Sequence, residues 1–350
     1  MSPDQVLLGS EVSRSLTMGS PIVALESTVI AQGLPWPQNI ETAGAIEAAV
    51  RYEGAVPAMI AVVDGVIRIG LSESERAILA RDTAMRANST VGTTAAVAAS
   101  ELTAEGQRLA EPRFKKANRR DLSVIVAQRQ SAATTVSATL WIARRFGLAP
   151  GVMATGGLGG VHREAATSFD VSTDLDELAR ADGTVVVCSG FKSILDLPAT
   201  LENLETRGVL VVGYRADKLP GFLTVSSGLP LEHRVDTPAE AAALVRVHRG
   251  LGLPGAIVLV QPVPHGSAVD QEFLEQALGL ALKRASVERV TGKPLTPFLL
   301  DAIRQATFGH GLIANCALLV ANARLAAQVA AALGQGRGGT DGAPATGLLG

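Results

Sequence analysis

Lys192 is a candidate nucleophile in this 350-residue sequence. It follows the β-branched apolar run 184–189, which predicts a strand. A lysine at the carboxyl end of a strand attacks a carbonyl carbon when burial or a nearby cation lowers its pKa from about 10.4. Most lysines near helix starts are instead solvated surface groups, and the sequence leaves both alternatives open.

Glu26 is a candidate acid, because it interrupts the apolar run 23–28 that predicts a strand. An unpaired buried carboxylate is costly, so this group must be paired or protonated if the strand is buried. Either state gives a carboxyl with a perturbed pKa, which is typical of an acid–base catalyst. A carboxylate at a strand end that reaches solvent or a structural partner explains the residue equally well.

Carboxylates and hydroxyls alternate in the segment 169–174, which holds Asp170, Ser172 and Asp174. Hard oxygen ligands of this kind suit Mg²⁺ or Mn²⁺. Asp174 also stands where the N-cap of a predicted helix over residues 175–180 would be. Capping is the favoured explanation of Asp174 when that residue is taken alone.

A glycine-rich run over residues 155–163 follows a predicted strand and ends in His162 and Arg163. Backbone amides in such a run can approach an anion closely, because no side chain stands in the way. The run matches neither the dinucleotide fingerprint nor the phosphate-binding loop of nucleotide hydrolases. A tight turn is an equally good explanation.

Two further segments are candidate anion sites. The cluster 115–120 contains four basic residues, and residues 132–137 open a predicted helix with hydroxyls and free amides. A solvated charge run is the commoner explanation of the first segment, and ordinary helix capping explains the second equally well.

Short β-branched runs alternate with helical patterns along most of the chain, and these elements must position the residues above. Residues 22–30 predict a strand, Asn39 the N-cap of the next helix, and residues 57–69 a hairpin that turns at Asp64-Gly65. The segment 72–75 fits a capping box. Further strands are predicted at 122–127, 151–155, 184–189, 209–213 and 256–260, and helices at 132–146, 193–205, 238–249 and in most of 270–333.

This alternation predicts an α/β fold with a mostly parallel sheet that helices cover on both faces. Ligand sites in such sheets lie in the polar turns that follow the strands. The sequence shows no repeat and no domain boundary, so a single domain over residues 1–333 is predicted. The glycine-rich tail 334–350 is predicted to be disordered.

Composition narrows the class of protein. Apolar residues make up 47% of the chain, which is too much for intrinsic disorder. A net charge of −2 and an aromatic content of 3% argue against a nucleic-acid-binding protein. Two separated cysteines form no disulfide framework, and neither a signal peptide nor an uninterrupted apolar stretch of 18 residues is evident. A soluble cytoplasmic protein without a membrane partner is expected.

Taken in order, these motifs resemble those of the pseudouridine-5′-phosphate glycosidases, also called the indigoidine synthase A family. The matching segments are residues 23–33, 37–39, 54–58, 119–122, 133–136, 154–163, 169–175, 192–196 and 296–300. The resemblance implies reversible cleavage of the C–C glycosidic bond of pseudouridine 5′-phosphate to uracil and ribose 5-phosphate through a lysine imine adduct at C1′. It also implies a three-layer α/β/α fold with a mostly parallel or mixed sheet, a divalent metal, commonly Mn²⁺, and a homotrimer.

The resemblance assigns roles by motif. It places the nucleophile at Lys192, the acid at Glu26 and the metal ligand at Asp170. Substrate contacts fall on eight further residues: Lys116, Thr135, Val136, His162, Ser172, Thr173, Asp174 and Asn315.

The sequence departs from the family pattern in four segments. Residues 81–112, which lack an amphipathic period, form an insertion loop ahead of Lys116, and Ser131 replaces a glycine. The turns at 261–265 and 308–311 also differ. These departures keep two alternatives open: another lysine-dependent sugar-phosphate lyase or aldolase, and a non-catalytic sensor of sugar phosphates or nucleotides.

Overall fold

A central sheet organises the part of the chain that the computed structural model describes, which is residues 5–91, 113–148, 151–290 and 295–335. Its strands are β1 (Val6–Leu8), β2 (Ile22–Leu25), β3 (Val56–Val63), β4 (Val66–Ile69), β5 (Phe114–Ala117), β6 (Ser131–Thr134), β7 (Val152–Ala154), β8 (Val185–Cys188), β9 (Leu210–Tyr214), β10 (Arg234–Val235) and β11 (Ile257–Val260). The main path runs β1-β4-β3-β2-β7-β8-β11-β9-β10, while β6 pairs with β3 and β5 with β6. The pairs β3–β4 and β3–β6 are antiparallel, and the other described pairs are parallel.

Helices flank this sheet. They are α1 (Ser10–Met18), α2 (Gln38–Tyr52), α3 (Glu73–Val91), α4 (Leu122–Ala127), α5 (Val136–Arg145), α6 (Ala165–Ser168), α7 (Thr173–Leu178), α8 (Leu197–Thr206), α9 (Pro238–Gly250), α10 (Gln271–Val287), α11 (Leu295–Ala306) and α12 (His310–Gln335). The long helix α12 packs against α2, α9 and the strands β2, β7 and β8, whereas α5 packs against α7, β2 and β6. Every residue of β7, β8 and β11 is buried, as expected for parallel strands covered on both faces. The predicted three-layer α/β/α fold is confirmed.

The predicted hairpin and the capping box are both present. Strands β3 and β4 meet at Asp64 and Gly65, which have φ angles of 50° and 80°. A side chain at Gly65 would lie 2.7 Å from the Cα atom of Arg129, so glycine is required there by both conformation and space. The amide of Ser72 donates to Glu75, and the amide of Glu75 donates back to the Ser72 hydroxyl.

The predicted strand at 122–127 is wrong, because this segment is helix α4. Only Leu122 and Ile125 of its residues are buried, which is the spacing of one helix face. The strand lies instead at β6, where the sequence predicts the start of a helix over 132–146. Ala132 and Ala133 pair with both β3 and β5, and sheet pairing there overrides the helical preference of alanine.

The strand predicted over residues 22–30 ends at Leu25. The amide of Ser27 donates to the carbonyl of Thr134 at the end of β6, and the hydroxyl of Ser27 accepts from the amide of Thr134. A π-helical turn (Val29–Gly33) follows. Asn39 is not an N-cap, since α2 already begins at Gln38. Its buried amide donates to the carbonyls of Ile30 and Ala80, at 3.0 and 2.9 Å.

Helix α12 is apolar along most of its length, although Asn315, Asn322 and Arg324 interrupt it. By length and composition alone it qualifies as a membrane span, with a mean hydropathy of 1.6 in its 18-residue window. Half of that window is buried, and the helix packs on three strands of the sheet. Such packing against a sheet is typical of a core helix.

The predicted insertion loop at 81–112 and the predicted tail at 334–350 lie largely outside the described residues. Helix α3 extends to Val91, so residues 81–91 of the predicted insertion loop are helical, and residues 92–112 fall outside. Helix α12 extends to Gln335, and residues 336–350 of the predicted tail also fall outside.

Candidate active site

The carboxyl ends of four parallel strands meet at one edge of the sheet. Glu26 follows β2, Thr155 follows β7, Ser189 follows β8 and Gln261 follows β11. Side chains that come directly after adjacent parallel strands converge there, which is the usual place for a ligand in such a sheet. The chain reaches Lys192 four residues after the end of β8.

Glu26 is buried and held by two hydroxyl groups. Thr155 donates to one carboxyl oxygen, Oε1, and Thr28 donates to the other, Oε2. An apolar cavity lined by Ile30 and Met59, among others, lies beside the group. Burial raises the pKa of Glu26 above its ordinary value of 4.5, against the lowering effects of the Lys192 charge and the two hydroxyls. The carboxyl therefore keeps its proton to higher pH than a solvated glutamate does.

Lys192 is positioned by a ladder that continues beyond β7 and β8. The amide of Leu158 donates to the carbonyl of Gly190 at 3.0 Å, and the amide of Lys192 donates to the carbonyl of Leu158 at 3.1 Å. The side chain of Lys192 is half-buried, and its charge lowers the pKa values of both Glu26 and His162. The charge of the lysine therefore acts on both Glu26 and His162.

His162 and Asp170 lie together beside two lysines. The Nδ1 atom of His162 is 4.0 Å from a carboxylate oxygen of Asp170, and the backbone amide of His162 donates to the Asp170 carbonyl. Burial lowers the pKa of His162 below 6.5, Asp170 opposes this, and the charges of Lys192 and Lys116 reinforce it. The imidazole is therefore mainly neutral at neutral pH.

Asp170 is the residue on which the resemblance places a divalent metal ion. Within the described ranges, no group of three His, Cys, Asp or Glu side chains lies together. A single half-exposed carboxylate suits an ion that keeps water or substrate oxygens in most of its coordination positions. The donor chemistry at Asp170 thus fits a weakly held Mg²⁺ or Mn²⁺ ion, and not an ion enclosed by the protein alone.

Asp174 is not the helix cap that its position in the sequence favours. Ser172 caps α7, because its hydroxyl accepts from the amide of Asp174 at 3.2 Å. The two oxygens of Asp174 accept instead from the amides of Ser137 and Gly159, at 2.9 and 3.1 Å. Asp174 thereby joins the first turn of α5 to the glycine-rich run.

The first turn of α5 holds Thr135 and Val136, both predicted substrate contacts. The Thr135 hydroxyl lies 3.2 Å from Asn118 Oδ1, and its amide donates to the carbonyl of Ala117. Thr173 reaches the same turn, with its hydroxyl 3.2 Å from that of Ser137. Hydrogen bonds through Ser137 therefore bring the segment with Thr135 and Val136 next to the predicted contacts at 172–174.

The basic cluster 115–120 divides into two groups. Arg119 pairs with the fully buried Glu177 at 3.2 Å, and Arg144 pairs with the same carboxylate at 2.6 Å. Lys116 is exposed on β5, and its charge acts on His162. Arg119 therefore anchors the segment to the fold, whereas the charge of Lys116 acts on His162.

The glycines of the run 155–163 make room for neighbouring side chains. A Cβ atom at Gly159 would lie 2.2 Å from the Ser172 hydroxyl, and one at Gly160 would lie 2.5 Å from the Thr200 hydroxyl. None of the glycines from 156 to 160 has a positive φ angle. Close packing, which draws Ser172 and Asp174 against the run, explains these glycines better than a tight turn.

Substituting Gly159 by alanine should therefore destabilise the protein. The new methyl group would overlap Ser172 and Asp174, and we expect a loss of about 1–3 kcal/mol in the free energy of unfolding, measured with urea. Gly44 is the matched control, because it lies in α2 with no atom within 4 Å of its Cβ position. There the same change should stabilise by about 0.5–1 kcal/mol. Equal effects at both positions would contradict the packing explanation.

Several residues of the site were missed by sequence reasoning. Thr28 and Thr155 hold Glu26, while Asn322 of α12 bonds Ser189 and Gln261. An asparagine among the apolar residues of a helix is the signal that the sequence carries for this last group. Asn315, a predicted contact, also lies at the run, with Oδ1 3.5 Å from the Cβ position of Gly156.

The sequence is similar to a known family and to curated relatives over most of its length. The family model for indigoidine synthase A like protein matches residues 11–106 and 97–332. A pseudouridine-5′-phosphate glycosidase from Caldanaerobacter subterraneus subsp. tengcongensis is 44% identical over 326 residues, covering 93% of this chain and 96% of the relative. One from Herpetosiphon aurantiacus is 44% identical over 331 residues, covering 95% and 99%.

Two solved structures share the fold. The prealnumycin C-glycosynthase AlnA, in complex with ribulose 5-phosphate, superposes with a TM-score of 0.80 at 33% identity, covering 96% of this chain and 99% of that one. An indigoidine synthase A-like protein from Thermotoga maritima superposes with a TM-score of 0.76 at 32% identity, covering 94% and 96%. With this fold, these relatives and the family model in agreement, the chain belongs to the indigoidine synthase A-like family.

Proposed function

We propose that the chain is an enzyme, a pseudouridine-5′-phosphate glycosidase that reversibly cleaves the C–C glycosidic bond to give uracil and ribose 5-phosphate. The observation that carries the proposal is the buried carboxyl of Glu26, held by two hydroxyls within the electrostatic reach of Lys192. The names of the curated relatives and the sugar phosphate bound to the C-glycosynthase support the same substrate class.

The chemistry explains why a lysine is needed. An ordinary glycosidase uses two carboxylates and a leaving oxygen that takes a proton. A C-nucleoside has a carbon leaving group, and direct departure would produce a poor carbanion. An amine that becomes bonded to C1′ solves this problem, because its lone pair can form an imine as the carbon–carbon bond breaks.

The first step opens the sugar. Lys192 Nζ attacks C1′ as the neutral amine, the C1′–O4′ bond breaks, and O4′ takes the proton of Glu26. The raised pKa of Glu26 suits this role, since the acid must still hold its proton at neutral pH.

The second step breaks the carbon–carbon bond. Attack leaves Nζ as a secondary ammonium, which returns one proton to the ionised Glu26 and so regains its lone pair. That lone pair forms the protonated imine between Lys192 and C1′ as the C1′–C5 bond breaks, and uracil C5 takes the proton from Glu26. Water then hydrolyses the imine, releasing ribose 5-phosphate and the free lysine. Glu26, ionised by the first step, is the group placed to move protons in these later steps.

The remaining predicted contacts would bind the substrate around these two groups. His162 and Thr135 are assigned to the phosphate end, with Lys116 adding positive charge. Ser172, Thr173 and Asp174, the backbone at Val136, and Asn315 would contact the rest of the nucleotide. Their hydrogen-bonded cluster at the first turn of α5 supports the assignment.

Asp170 would hold Mn²⁺ or another divalent ion. When bound, such an ion would keep uracil oxygens or nearby waters in position. We expect Mn²⁺ to bind the wild-type chain and to bind Asp170→Asn at least about 10-fold more weakly, because the carboxylate is the anchoring ligand. Electron paramagnetic resonance of free Mn²⁺ in a titration measures this without reference to activity. Glu164→Gln is the control, and equal Mn²⁺ binding by all three proteins would remove Asp170 from this role.

The assembly and location follow the family resemblance. We propose a homotrimer in the cytoplasm, which light scattering of the purified chain and fractionation of its cells would test. A monomer at micromolar concentration would overturn the first statement, and recovery outside the cytoplasm would overturn the second.

Uracil release from pseudouridine 5′-phosphate tests the function. With Mn²⁺ present, the chain should release uracil and ribose 5-phosphate in equal amounts. A sugar-phosphate aldolase of the same imine chemistry would release no uracil, and a sensor would bind the nucleotide without turnover. Either result would overturn the proposal.

A further inference from the structure

Asn322 lies completely buried in the middle of α12, among apolar neighbours such as Leu319 and Ala323. A side-chain amide is costly in such surroundings unless its donors and its acceptor all find partners. Here they do. The Nδ2 atom donates to the carbonyl of Thr155 at 2.8 Å, and Oδ1 accepts from Gln261 Nε2 at 2.8 Å.

The other contacts of Asn322 reach the neighbouring strand end. The Nδ2 atom lies 3.2 Å from the Ser189 hydroxyl and 3.4 Å from the carbonyl of Gly156. The same Ser189 hydroxyl lies 3.3 Å from Oδ1. One side chain therefore bonds the residues that follow β7, β8 and β11. These side-chain bonds tie the three chain segments together at the sheet edge, in addition to the backbone ladder.

The bonded segments lead directly to both reacting groups. Thr155 donates its hydroxyl to Glu26, so its backbone position fixes the direction of that hydrogen bond. The amide of Ser189 donates to the carbonyl of Gly156 at 2.8 Å, at the start of the ladder that ends at Lys192. Asn322 touches neither reacting group, but it holds the backbone on which each depends.

We propose that Asn322 is a positioning residue. Through Thr155 and Ser189 it fixes the position of the Glu26 carboxyl relative to the Lys192 amine. The inference rests on the proposed function, since it assigns those two groups to the same reaction. No aliphatic residue can replace the amide, because the site needs a donor to one strand end and an acceptor from another. A small misplacement of reacting groups is enough to lower a rate by about 100-fold.

A double-mutant cycle with Thr155→Val separates positioning from mere stability. Asn322→Leu keeps the branching of the side chain but removes its polar atoms, and should lower kcat for uracil release between about 10- and 100-fold with a KM within about 3-fold of wild type. Thr155→Val removes the hydroxyl that reaches Glu26 and should lower kcat by about 10-fold. If both act through Glu26, the double variant should be no slower than Asn322→Leu alone by more than about 2-fold.

Matched variants complete the experiment. Leu325→Ala truncates another buried residue of α12, and it should lower the melting temperature while kcat of the folded enzyme holds. Asn322→Ser, which leaves space for a bridging water, takes the place of Asn322→Leu if the leucine variant does not fold.

The outcomes are distinct. A wild-type chain that releases no uracil overturns the proposed function and this inference with it. An active wild type with Asn322 variants within about 3-fold of its kcat overturns the inference alone, as do effects of Asn322→Leu and Thr155→Val that simply multiply.

Discussion

Replacing Lys192 by alanine should lower the rate of uracil release by about 10⁴-fold or more, because the proposed reaction needs its amine to form the imine. Sodium borohydride added with ribose 5-phosphate should reduce the imine to a stable adduct on the wild-type chain. Peptide mass spectrometry should locate that adduct at Lys192. We expect the adduct there because the lysine is half-buried and its charge acts on Glu26.

Lys283→Ala is the matched control for this substitution, because Lys283 is an exposed lysine on α10. It should label and turn over as the wild type does. Equal labelling of wild type and Lys192→Ala would remove Lys192 from the nucleophilic role, even if the enzyme releases uracil.

Replacing Glu26 by glutamine should lower kcat by about 10²–10⁴-fold while the protein stays folded. Glutamine has the same shape, and its amide can still bond the hydroxyls of Thr28 and Thr155. It cannot deliver a proton to O4′. Glu202→Gln, an exposed change on α8, serves as the control and should leave kcat unchanged. Turnover of Glu26→Gln within about 3-fold of wild type would take Glu26 out of the acid role.

The same substitution should stabilise the protein at neutral pH. Folding raises the pKa of Glu26 above the value near 4.5 that it has when unfolded, so the folded state binds more protons between the two values. The stability of the wild type therefore falls as pH rises through this window, whereas Glu26→Gln lacks the effect. The melting temperature of the variant should exceed that of wild type at neutral pH. This margin should be smallest below a pH of about 4.5 and should grow as the pH rises from there. A margin that shrinks with rising pH would contradict the raised pKa.

The strand ends that build the site were predictable from the sequence. The runs that became β7, β8, β9 and β11 are short, β-branched and bounded by turn residues, and packing on both faces leaves such runs few alternatives. The sequence of a single strand does not indicate the order of the strands in the sheet. Polar residues that follow or interrupt apolar runs, above all Glu26 and Lys192, can nevertheless be identified as candidates from the sequence. This does not require knowing the order of the strands.

Other parts of the site depend on contacts that are distant in sequence. Nothing local indicates that Ala132 and Ala133 form a strand, because the preference comes from pairing with β3 and β5. The residues around Asp174 predict that it caps a helix. Its carboxylate oxygens instead accept hydrogen bonds from amides 37 and 15 residues away. Asn322 bonds Thr155 across 167 residues, so its partners became apparent only in the folded chain.

Formation of the carbon–carbon bond in reverse tests the central claim most directly. The chain would be incubated with Mn²⁺, ribose 5-phosphate and uracil labelled with ¹³C at C5, and the product examined by nuclear magnetic resonance. We predict pseudouridine 5′-phosphate, in which the labelled carbon is bonded to C1′ of the sugar. Recovery of unreacted uracil alone, or of a nucleotide joined through nitrogen, would contradict the account.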